Sequence, residues 1–101
     1  MQKYLKDTVV TLLIDLQDES GETLSASQVQ YRVTDQDEIE RVPLTTISDF
    51  TLNDTRVTVS VGANINALAN GNLREVRTVE LHVTTAEGVV IIEQSYLIES
   101  T

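Results

Sequence analysis

The chain has 101 residues, no cysteine, no tryptophan and a formal charge of −9, from 16 acidic and 7 basic side chains. That length makes one domain, and the missing cysteines exclude a disulfide framework and thiol chemistry. The charge excludes nucleic acid and acidic membrane surfaces as natural partners, because both require Lys and Arg to meet phosphate.

In chain order, residues 1–7 (MQKYLKD) are an N-terminal arm or a short first strand, with no apolar export signal, and residues 8–101 are the domain. Residues 8–17 (TVVTLLIDLQ) alternate as a strand, with Val10, Leu12, Ile14 and Leu16 on one face and Val9, Thr11, Leu13, Asp15 and Gln17 on the other. Asp18, Glu19, Ser20 and Gly21 make a turn, with Gly supplying the unusual backbone angle. Residues 28–34 (QVQYRVT) place Val29, Tyr31 and Val33 inward. Asp35 to Glu38 is an acidic turn.

Residues 39–47 are one or two short strands interrupted by Pro43, which points to an edge. Asn53 and Asp54 turn the chain into residues 55–61, where Val57, Val59 and Val61 share a face. Residues 62–72 break the alternation, and Ile65 and Leu68 are expected to plug the core from there. A hairpin closes the chain: residues 77–85, a turn at Ala86, Glu87 and Gly88, then residues 89–99. Short strands with a turn about every 8 to 12 residues are the mark of an all-β sandwich. The expected core is Val10, Leu12, Ile14, Leu16, Val29, Tyr31, Val33, Val57, Val59, Val61, Leu68, Val79, Leu81, Val83, Ile92, Tyr96 and Ile98.

The segment DLQDESGETLSASQVQYRV resembles the start of bacterial Ig-like domains, with Asp18, Gly21, Leu24, Val29, Tyr31 and Val33 at the matching places. The stretch LANGNLREVRTVELHVTTAEGVV, with the terminal YLIE, resembles Ig-like domains in small structural proteins of tailed bacteriophages, which build heads, necks and tails. Together these cover roughly residues 8–99. The resemblance implies an Ig-like antiparallel β-sandwich of about seven strands. It also implies a virion location after assembly in the host cytoplasm, partners that are other virion proteins or copies of the chain itself, and an oligomeric state in the assembly. The usual first short strand is not obvious before Thr8, although residues 2–6 are able to supply it.

The chemistry-bearing residues give no catalytic set and no cofactor site. His82 is the only histidine and faces outward, and a triad or zinc site needs partners for it. Asp35, Asp37, Glu38 and Glu40 have the spacing of an oxygen-rich calcium loop, and Asp15, Asp18, Glu19 and Glu22 form a second acidic turn. The sharp-turn glycine of a calcium loop is missing, which favours solvated charge. A glycosidase pair needs a cleft and usually aromatic platforms, and the rings are only Tyr4, Tyr31, Phe50 and Tyr96.

One positive signal is left. Val9, Leu13, Val89, Ile91 and Leu97 are apolar yet fall on outward positions, and Tyr4 and Leu5 on the arm stand ready to clamp. Either a β-bulge, loop or arm covers them, or they meet a partner. Burying one aliphatic side chain is worth about 1.5 to 3 kcal/mol and association costs about 4 to 15, so contacts of this size hold best when repeated. The expected function is therefore a non-enzymatic virion subunit acting through multivalent protein contacts. The runner-up is an extracellular adhesion or carbohydrate-binding module, and a cytosolic adaptor is a third option.

Overall fold

The computed structural model describes residues 1–52 and 54–100; Asn53, half of one expected turn, lies outside the described residues. Seven strands form in order: β1 (Gln2–Leu5), β2 (Val10–Asp15), β3 (Ala26–Asp35), β4 (Glu40–Thr46), β5 (Arg56–Val61), β6 (Arg74–Thr85) and β7 (Gly88–Glu99). They make a larger sheet ordered β1-β7-β6-β3-β4 and a smaller sheet ordered β2-β5. This is the two-sheet arrangement of a β-sandwich, in which β1 on one side and β4 on the other extend the central strands β7, β6 and β3, while the smaller sheet has only two members.

Alternation builds the core. On β2, Val10, Leu12 and Ile14 are buried while the residues between them are exposed; β5 repeats this with Val57, Val59 and Val61. The antiparallel register sets Val10 against Val61 and Ile14 against Val57, so one apolar face of the smaller sheet closes on the larger. From the larger sheet come Val29, Val33, Val79, Leu81, Val83, Tyr96 and Ile98, all at 0% exposure.

Two strands cannot cover five. At about 4.8 Å per strand the smaller sheet spans less than half the width of the larger. Tyr31, Leu68 and Ile92, all expected in the core, are therefore only partly buried at its margins, and Ala26 is buried instead. The outermost strand β4 is almost wholly exposed and tolerates Pro43 within a single strand.

One ladder departs from the expected antiparallel arrangement. β1 runs parallel to β7, with Gln2 beside Tyr96 and Leu5 beside Glu99. This register turns Tyr4 inward, edge-on to Tyr96 with ring centroids 5.6 Å apart and planes at 87°. Asp7, at φ 58°, then turns the chain away toward β2.

Candidate functional site

The backbone of β7 is the starting point. The Lys6 amide donates to the Glu99 carbonyl at 2.8 Å, whereas the Ser100 amide donates back to Leu73 at 3.0 Å on the β6 side. Odd-numbered residues of β7 thus turn their peptide groups toward β1, and even-numbered ones toward β6, as the alternation of a ladder requires. β1 pairs with β7 only from Tyr96 to Glu99. Among the described residues, no strand meets the outward N–H and C=O groups of Val89, Ile91 and Glu93.

Beside this edge lies an open groove of about 810 Å³, lined by Gln17, Asp18, Glu19 and Ser20 opposite residues 90–93. Half-buried Val90 and Ile92 form its apolar floor. An adjoining groove of about 530 Å³ shares Asp18 and Val90 and adds Glu22 and Glu87. Neither groove has a Lys or Arg in its lining.

The wall at Asp18 is a preformed turn. Its carboxylate accepts from the Ser20 hydroxyl at 2.6 Å, the Ser20 amide at 2.9 Å and the Glu22 amide at 3.0 Å. The Ser20 hydroxyl, then the Glu22 amide, hold Asp18 below the usual carboxylate range. Gly21, at φ 87°, makes the turn possible.

The outer face of the larger sheet carries charge further in. His82 Nε2 lies 2.6 Å from Glu80 Oε1, and Arg32 Nη2 reaches both Glu80 oxygens at 3.2 Å. The His82 hydrogen bond, helped by Arg32 and opposed by burial, holds the Glu80 carboxyl below its usual value. His82 does face outward, but it is part-buried and partnered rather than solvated. Glu93 stands opposite Glu80 in the ladder and carries this charged row to the edge.

The acidic turns behave differently from their sequence reading. Asp35 is buried, and its carboxylate accepts from the Asp37 and Ile39 amides at 2.9 and 3.0 Å and from Arg41 Nε at 2.9 Å. It ties down the β3–β4 turn and is not solvated. The two acidic turns lie in different connections, one before β3 and one after it. Among the described residues, no three His, Asp or Glu side chains are placed to share a metal ion.

The apolar outward residues divide into separate groups. Val9 and Leu13, 61% and 59% exposed, lie on the outer face of the smaller sheet. Leu13 is an isolated leucine there, beside Thr58 in the ladder and near the Thr11–Ser60 hydroxyl contact. Val89 and Ile91, 58% and 46% exposed, lie on the opposite outer face, beside the unpaired edge. Leu97 shares that face but is partly covered, and Leu5 is exposed on the neighbouring β1. Tyr4 packs inward on Tyr96 and is not offered to a partner. These seven residues therefore form no single patch, because β2 and β7 fall in different sheets.

A buried polar cluster went unnoticed in the sequence. Arg77, 1% exposed, donates to Glu75 Oε1 at 2.9 Å and to the carbonyls of Ile65 and Ala67 at 3.0 and 2.9 Å. The other Glu75 oxygen accepts from the Ala69 amide and the Asn72 side chain. Asn66 donates to the Thr8 carbonyl at 2.8 Å and accepts from the Tyr96 hydroxyl at 2.6 Å. Burial pushes that hydroxyl up to about 12, against the opposing charge of Arg77. The cluster fastens the β5–β6 connection, and strand parity was the available signal: Glu75 and Arg77 share the inward positions of Val79, Leu81 and Val83.

No family model matches the chain, and neither curated proteins nor solved structures give a match.

Proposed function

We propose that this chain is a non-enzymatic structural subunit of a phage-like virion, a neck, tail or capsid accessory protein that acts through multivalent protein–protein contacts. The observation that carries this is the exposure of large aliphatic side chains on both outer faces of one thin sandwich, Val9 and Leu13 on one side and Val89 and Ile91 on the other. A module contacted from two sides fits between neighbours, and repetition turns individually modest contacts into firm attachment. The sequence resemblance to phage Ig-like domains points the same way. All four aromatic rings pack against the core, so no observation favours a sugar-stacking adhesion module.

The test is incorporation into particles. The chain should copurify with virions at fixed stoichiometry, read by quantitative mass spectrometry of banded particles. Leu13→Lys and Ile91→Lys, each on an exposed position, should remain folded by circular dichroism and be lost from the particles. Normal incorporation of both variants refutes the reading.

A further inference from the structure

We infer that the uncovered stretch of β7, residues 88–94, is a strand-addition site for an extended segment of a partner protein in which apolar and basic residues alternate. This deepens the virion-subunit reading and rests on it for the partner's setting. The backbone makes the first half of the case. Among the described residues, no strand meets the outward N–H and C=O groups of Val89, Ile91 and Glu93, in a sheet whose other central ladders are paired. An incoming strand completes those hydrogen bonds, the means by which sheet edges capture peptides. β1 already does this lower down: it occupies the same edge from Tyr96 to Glu99, so a second strand fits above Met1, along about six residues or 20 Å of β7.

Side chains define the occupant. Alternate residues of an added strand point toward the mouth of the sandwich, over Val90 and Ile92, and these must be apolar. Those on the other side lie beside Val89, Ile91 and Glu93. Glu93 itself stands on that side, while Asp18, Glu19, Glu22 and Glu87 line the grooves with Val90, and among the described residues neither groove has a basic lining residue. Hydrogen bonds from Ser20 and Glu22 lower the Asp18 carboxyl below its usual range. A Lys or Arg on the added strand meets this field, whereas an acidic strand is repelled. A second copy of the chain is a poor occupant for the same reason, since each copy carries −9 and brings another Glu93 to the edge.

The probe is a capped six-residue peptide alternating lysine and valine, added to the ¹⁵N-labelled full chain, with a glutamate–valine peptide as control. Amide exchange at Val89, Ile91 and Glu93 should slow by roughly tenfold or more, with Val90 and Ile92, already bonded to β6, little changed. The acidic control should bind at least about tenfold more weakly. Ile91→Pro removes one edge donor without touching the β6 ladder and should abolish the slowing. Should that variant unfold, Glu93→Lys at an exposed side chain is the substitute, and it should weaken lysine-peptide binding about tenfold. No slowing at the three amides, or equal binding of the two peptides, overturns the assignment. So does slow exchange at these amides in the peptide-free protein together with a doubled mass at sedimentation equilibrium, since the edge then belongs to a second copy. Peptide binding is read on the isolated chain, so its failure is separable from failure to enter particles.

Discussion

Arg77 shows how one buried cation organises a segment without regular structure. Its guanidinium carries Glu75 and two carbonyls of the β5–β6 connection, so removing it strands a carboxylate in the core. Arg77→Met should cost about 3 to 5 kcal/mol in urea unfolding, because an uncompensated buried charge is left behind. Burial alone raises the Glu75 carboxyl. The Ala69 amide, Asn72 and Arg77 outweigh it and hold the carboxyl below its usual value. A carboxylate lowered on folding contributes stability that is complete above its unfolded pKa and is lost as pH falls through the folded one. Asp35 follows the same pattern, with the Ile39 amide and Arg41 overcoming burial. Urea midpoints measured across pH should therefore fall below about pH 4.3, and Glu75→Gln should show a shallower fall.

At the scale of the element, β1 is the revealing strand. It has four residues and is held to β7 by one ladder and the Tyr4–Tyr96 contact. Tyr4→Ala should cost about 2 kcal/mol, less than a fully buried aromatic because Tyr4 is only partly covered. Amide exchange should then quicken at Leu97 and Glu99, which face β1, and stay slow at Tyr96 and Ile98, which face β6. The alternating strands were legible in the sequence because burial on one face leaves a period of two: Val10, Leu12 and Ile14, or Val57, Val59 and Val61, need no partner to be identified. Which strands share a sheet left no such mark. Leu13 and Ile91 look alike in sequence and lie on opposite sides of the molecule, because side-chain alternation records inward and outward but not which sheet. Arg77 and Asn66 escaped for another reason. Strand parity marks Arg77 as inward, but its carbonyl partners Ile65 and Ala67 and the distant Thr8, Val61 and Tyr96 partners of Asn66 follow no residue pattern.

For the whole molecule, pairing of the first strand with the last makes the topology strongly non-local. Such a chain closes long loops before its contacts reward them, so refolding is expected in milliseconds to seconds despite the small size. Stopped-flow fluorescence of the tyrosines should show this as a single phase, and a microsecond phase carrying the full amplitude would contradict the topology. The proposed incorporation and strand addition belong to this scale too, since both depend on faces and an edge that exist only once the sheets have closed.

The parallel seating of β1 on β7 also decides how the domain bears load. A pull on the amino end drags β1 back along its own axis, and a pull on the carboxyl end drags β7 forward along nearly the same line. The bridging hydrogen bonds are then sheared together rather than peeled apart one by one. A subunit anchored at both ends would meet tension with its most resistant geometry.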